Sequence, residues 1–413
     1  MSDFTSSARH LVELIEDFSM AVSPSCRAPD RRFLAEAIYG MLRSRSVVLL
    51  RIGTAIDPRL SAHKMVERLG RHLSRMDVPA LWERLRSKTS EMLPERRVYL
   101  VDDSDVAKEH GRKFESLGRV MDGSDPQKRI VKGYHLTSIV CLSAEERQPV
   151  PAFEHLHSSL ERKYVSANAL LHGGMSDICS GIPEDSAVFV FDRGYDDSKL
   201  MNAFPGWRQR FLIRATSKRK MVHKKDKAYV FDHARRYKGK VAIKLRIRGI
   251  EVDAKVSHFQ ARLSGVRRKV NVIVMWTDGD PLEPLKVFYT NVPIRSKEDL
   301  VRTCLLYSER WKIEEYFRFR KTQHGIEDFR VLTLARMNAL LAVECCAVCI
   351  LARIAEWKGS LYAKALSLSA RLPDDPIVKY YRIGHGVSEI LRGRRRPGFD
   401  FAKRKRDPRL PLF

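Results

Sequence analysis

The sequence predicts an α/β protein: a mixed sheet with flanking helices, interrupted by a β-rich insertion and preceded by an all-helical N-terminal domain. Three observations predict it. Apolar spacing changes near Arg96 from the helical to the extended period. Two of the extended runs, 98–101 and 187–191, end in acidic residues. Finally, 122 positions separate Asp192 from Glu314, far more than an ordinary crossover requires, and lysine-rich alternating segments fill that distance.

Residues 1–94 carry helical spacing in Leu11, Leu14, Ile15 and Phe18, and again through Phe33, Ile38, Leu42, Val47 and Leu50. Short polar breaks divide them into four or five helices. Arg27, Arg31, Arg32, Arg43, Arg45 and Arg51 make the region basic, which suits either DNA binding or a solvated face. Residues 95–214 hold the first part of the core, with strands expected at 98–101, 134–142, 150–155, 187–191 and 211–214. Residues 215–294 form the basic insertion. There Ile243, Leu245 and Ile247 alternate with Lys244, Arg246 and Arg248, the period of a strand with one basic face, and strands follow at 270–276 and 285–289. Residues 295–358 complete the core. Ser296 and Asp299 have capping-box spacing at the start of its first helix. Residues 359–413 are a helical and basic tail, with nine cations against Asp400 and Asp407 from Arg392 onward.

The 76 Lys and Arg against 50 Asp and Glu give a net charge of +26, which favours a polyanionic partner. Seven scattered cysteines lack framework spacing, as in a reducing compartment. Cys346 and Cys349 form a C-x-x-C inside an apolar stretch with no second ligand pair, and read as packing residues. No signal peptide is visible, and the most apolar segment, 337–351, contains Glu344 and reads as a buried helix. A cytoplasmic, nucleoid-associated protein without membrane contact is expected.

Residues 307–321 read Y-x2-R-x3-E-x6-K. At about 100° per residue, Tyr307, Arg310, Glu314 and Lys321 fall within roughly a 60° arc of one helix. Glu315 lies off that stripe. A surface helix with an Arg310–Glu314 ion pair would also explain these charges. The company of strand-associated Asp102 and Asp192 points instead to a set of hard oxygen donors for divalent cations.

Strand-Asp, strand-Asp, basic β insertion and a helix bearing this motif, running from about Val98 to Lys321, resemble the DDE transposases of the IS4 family, which includes the Tn5-type enzymes. The resemblance implies an RNase H-like core. It also implies two Mg2+ or Mn2+ ions held by Asp102, Asp192 and Glu314, cutting at element ends, and joining of the 3′ ends to target DNA by a homodimer. Tyr307, Arg310 and Lys321 carry over as contacts to DNA phosphates, joined by Lys108 and Arg193. Asp102 is favoured by its place two residues before Ser104, with Asp103 as second choice. Asp122 is read as a structural turn acid. Val287 stands where some relatives place a base-stacking Trp, and Trp276 lies on a preceding strand.

Overall fold

The computed structural model describes all residues except 1, 124, 126, 248–249, 278–283, 371–376, 395–396 and 400–413. Most of the basic stretch from residue 392 onward, and Arg248 of the alternating strand, therefore lie outside the described residues.

Five helices open the chain: α1 (Ser2–Val22), α2 (Ala28–Ser44), α3 (Leu49–Ile56), α4 (Ala62–Arg75) and α5 (Val78–Thr89). Asp77 caps α5 by accepting from the Ala80 amide at 3.1 Å, and Pro79 sits in its first turn, where no amide hydrogen is needed. The core follows with β1 (Arg97–Ala107), β2 (Gly118–Met121), β3 (Ile130–Leu142), β4 (Pro149–His157), α6 (Ala167–Cys179), β5 (Ala187–Phe191), α7 (Ser198–Trp207) and β6 (Arg210–Arg214). The insertion supplies β7 (Lys220–His223), β8 (Asp226–Tyr229), α8 (Val230–Ala234), β9 (Val241–Ile247), β10 (Ile250–Leu263), β11 (Val270–Thr277) and β12 (Leu285–Thr290). Five helices follow among the described residues: α9 (Lys297–Ser308), α10 (Trp311–Phe319), α11 (Leu334–Trp357), α12 (Ser360–Leu368) and α13 (Tyr380–Arg392).

Among the described residues, all twelve strands belong to one mixed sheet. Strand β1 pairs antiparallel with β3, and β3 antiparallel with β2 and β4. On its other side β1 runs parallel to β5, which runs parallel to β6. The insertion does not stand apart: β12 pairs antiparallel with β6, and β11 and β10 continue the sheet. Its basic face is partly neutralised by register, since Lys244 lies opposite Asp253 and Arg246 opposite Glu251.

The sheet is covered on both sides because its central strands are apolar on both faces. On one face Val98, Leu100, Val190 and Leu212 join the N-terminal helices and α9 to α13 in one continuous core. On the other, Tyr99, Val101, Phe189 and Phe191 pack with Leu171 and Met175 of α6 and Leu200 and Phe204 of α7. Helix α11 is longer than the apolar run 337–351 suggested, and its 24 residues would reach across a membrane by length. Its apolar surface is spent inside the protein: Val343, Cys346, Cys349 and Ile350 are fully buried.

Candidate functional site

The two parallel strands β1 and β5 set the site. Their register ends at Val101 opposite Phe191, so the next residues, Asp102 and Asp192, stand side by side at the carboxyl end of β5. Asp102 is not at a strand end, as its sequence context suggested. Strand β1 continues to Ala107 in pairing with β3, past the point where β5 stops. Asp192 leads into a single 3-10 turn at Arg193–Tyr195. That turn is anchored by Asp196, whose buried carboxylate accepts from the Thr216 amide and hydroxyl, both at 2.8 Å, and from Arg219.

The third carboxylate arrives from the opposite layer. Ser296 caps α9 by accepting from the Asp299 amide at 3.1 Å. The expected single helix over 307–321 is in fact three consecutive pieces. Helix α9 ends at Ser308, α10 begins at Trp311, and Arg320–His324 forms a π-helical turn. The first break preserves the stripe because Arg310 keeps helical dihedrals. Its guanidinium donates to Asp102 Oδ2 at 2.9 Å through Nη1, and to Glu314 Oε1 through Nη2. The ring of Tyr307 packs on Phe288, with centroids 4.5 Å apart, and Arg310 lies 5.9 Å from the Tyr307 centroid.

The electrostatics follow from crowding three carboxylates in a largely buried place. Burial raises the Asp102 carboxyl, and despite opposition from Arg310 the nearby Asp192 and Glu314 charges help to hold it at about 7. Burial opposes the charge of Arg310, yet Tyr307, Asp102, Glu314 and Asp192 together hold it firmly protonated. Burial also raises the Tyr307 phenol. Asp192 Oδ1 is buried with no hydrogen-bond partner among the described residues, an orphan acceptor of the kind a cation satisfies. The donor set is oxygen only, which fits a hard divalent ion. Among the described residues no three such side chains already converge as a finished cage; Arg310 stands between two of them.

Two expected partners go elsewhere. The π-helical turn carries Lys321 off the stripe, and its ammonium lies 3.0 Å from Asp105 Oδ2 and 3.1 Å from Glu327 Oε1 rather than beside Glu314. Lys108, expected among the phosphate contacts, has its ammonium engaged inside the protein. It is buried, donates to the Glu327 carbonyl and to that of Phe329 at 2.8 Å, and lies 3.7 Å from the Phe329 ring centroid; burial lowers it to about 8. Arg193 is exposed on the turn after Asp192, beside a pocket shared with Arg214, Lys218 and Arg235. Asp103 accepts from Thr137 Oγ1 at 2.7 Å. Glu315 pairs outward with Arg318 at 2.6 Å. Trp276 donates its indole N–H to the Tyr237 carbonyl at 2.8 Å.

Sequence reasoning missed the device behind the site. Arg320, fully buried on the π-helical turn, donates to Glu154 of β4 at 2.6 Å and to Glu344 of α11 at 2.9 and 2.6 Å. Tyr316 and Ser138 also donate to Glu154, each at 2.9 Å, and His324 Nδ1 lies 2.6 Å from Glu344. Glu344 was the available signal, as the one carboxylate within the apolar run 337–351.

The large mixed sheet with flanking helices, preceded by a helical N-terminal domain, fits an RNase H-like DDE domain, a fold of nucleic-acid-modifying enzymes. The sequence model of the transposase DDE domain family matches residues 94–350, more than half of the chain, and the protein belongs to that family. DDE transposase domains generally use divalent metal ions and act on DNA. No curated protein matches the chain.

Proposed function

We propose that the protein is an IS4-type transposase that cuts DNA at the ends of its element and joins the freed 3′ ends to a target. The observation that carries this reading is the pairing of the buried Arg310 guanidinium with both Asp102 and Glu314, with Asp192 close enough for its charge to act on Asp102 and Arg310. A cluster of mutually repelling carboxylates is costly to fold and is useful chiefly to a cation-dependent reaction.

Asp102, Asp192 and Glu314 would hold two Mg2+ or Mn2+ ions. Such ions, when bound, activate a water or 3′-hydroxyl and stabilise charge on the leaving oxygen. The chain's own contribution is position. Arg310 ties Asp102 of the sheet to Glu314 of the helix layer, and the Asp196–Arg219 pair holds the turn that carries Asp192. Arg193 and Tyr307 border the carboxylates and are assigned to the phosphates of the cut strand, with Lys321 at the margin. The protein would work as a homodimer on paired element ends, in the nucleoid.

The test is cutting of an end-containing duplex in the presence of Mg2+ or Mn2+. Asp192→Ala and Glu314→Ala should each abolish cutting and leave duplex binding intact. Covalent joining of 3′ ends to a second DNA is the expected product, whereas breaks alone would identify a nuclease. Full activity in chelator would overturn the mechanism.

A further inference from the structure

At the opposite end of the sheet from the carboxylates lies a groove of ≈ 740 Å³ that the chemistry at Asp192 does not use. Its walls are the entry to β5, the start of β6, the end of β12 and the turn between β10 and β11. Five cations line it, Arg208, Arg210, Arg267, Arg268 and Lys269, against two acids, Glu184 and Asp185. Both acids are already engaged: Glu184 pairs with Arg208, and Asp185 with Arg210 at 2.7 Å. The three consecutive cations of the β10–β11 turn are exposed, and their side chains have no partner among the described residues.

That turn is built to hold its charges in place. Gly265 takes φ +79°, a conformation that strains other residues, and Val266 is buried beneath the turn. Asn202 of α7 brackets it from both sides, donating to the Gly265 carbonyl at 2.9 Å and accepting from the Arg267 amide at 2.9 Å. Arg219 donates to the Ser264 carbonyl at 2.9 Å while its other nitrogens hold Asp196. A solvated lysine loop needs none of these ties. A fixed row of uncompensated cations beside a groove is what a phosphate backbone requires, since ordering the cations beforehand lowers the entropy lost on binding.

We propose that this groove binds the phosphate backbone of a second duplex segment, distinct from the one at the carboxylates. Asp185 and Asp192 bracket β5, so at about 3.3 Å per residue the groove lies roughly 20 Å from the cutting site. At about 3.4 Å per base pair, a short duplex that extends no more than about five base pairs from Asp192 toward the groove does not reach it. The inference rests on the DNA reading above and adds a second contact to it.

The test uses the full chain with Arg267, Arg268 and Lys269 all changed to Gln, compared with the unchanged protein. Because the three side chains are exposed and the Asn202 bracket uses backbone atoms, the fold is retained, which circular dichroism checks. On a long duplex, with Asp192→Ala in both proteins to prevent cutting, the slope of log affinity against log salt should become shallower by about 2 to 3. In proteins with Asp192 intact, cutting of a short end-containing duplex should be unchanged. An unchanged salt slope overturns the proposal. So does an equal loss of binding on short and long duplexes, which would assign the turn to the duplex being cut. If the unchanged protein fails to cut DNA with either metal, the functional reading fails instead.

Discussion

Arg320→Met tests whether the buried charge cluster holds the Glu314 helix in place. Arg320, Glu154 and Glu344 have no exposed side-chain surface. Removing the guanidinium leaves Glu344 with His324 and the weak Cys345 thiol donor, and Glu154 with Tyr316 and Ser138. Two routes give the magnitude. Breaking one partner of a buried pair costs about 3–5 kcal/mol. Burial opposes the Glu344 charge, but Arg320 and His324 outweigh it and hold the carboxyl at about 2 against its usual 4.5; that difference corresponds to about 3 kcal/mol. A depressed carboxyl contributes stability that is present above its unfolded value and lost as pH falls toward 2. In Arg320→Met burial is no longer opposed by Arg320, so Glu344 moves upward and the sign reverses. The variant should be about 3–5 kcal/mol less stable at neutral pH, and the deficit should shrink toward about pH 5. Urea unfolding followed by tryptophan fluorescence measures both, repeated with His324→Gln so that the imidazole does not contribute. Replacing Arg320, Glu154 and Glu344 together by apolar residues should recover most of the loss. A deficit below about 1 kcal/mol, or one independent of pH, would refute the reasoning.

Arg310→Lys retains a charge but cannot bridge Asp102 and Glu314 as a planar fork does, so cutting should fall roughly 10–100-fold with little change in melting temperature. Lys108→Met should destabilise the protein by about 1–3 kcal/mol, because the Glu327 and Phe329 carbonyls lose their donor. It should leave the salt dependence of DNA binding unchanged; a shallower salt slope would return Lys108 to the phosphate contacts. Tyr307→Phe keeps the ring on Phe288 and should fold normally while weakening duplex binding, whereas Tyr307→Ala should cost about 3–5 kcal/mol in unfolding.

Local chemistry is what the sequence made legible. Extended apolar runs marked the strands, Ser296 marked the start of α9, and the helical stripe separated Glu314, which meets Arg310, from Glu315, which pairs outward with Arg318. Contacts distant along the chain were not legible. Lys108 is occupied by carbonyls more than 200 positions away, and nothing in its neighbourhood announces them. The π-helical turn that diverts Lys321 has no residue signature, because it follows from placing Arg320 between two buried carboxylates on β4 and α11. The pairing of β12 with β6 was equally hidden, since strand order depends on tertiary packing rather than on the period of either strand.

The two arginines of this helix run divide its work. Arg320 lies among fully buried partners at the C-terminal end, where exchanging any ion for water would first require opening the core. Arg310 lies at the start of α10, and its partner Glu314 keeps 36% of its side-chain surface exposed. An ion pair with one partly solvated member exchanges at lower cost than one with both members fully buried, because water reaches the carboxylate. The helix is therefore fixed where it meets the core and adjustable where it meets the carboxylates. That asymmetry suits a site whose like charges need a cation in every state: Arg310 supplies one for Asp102 and Glu314, while the buried Asp192 Oδ1 retains an unfilled acceptor. Fixing both ends equally would freeze the carboxylates around Arg310, and loosening both would let their repulsion separate the helix from the sheet.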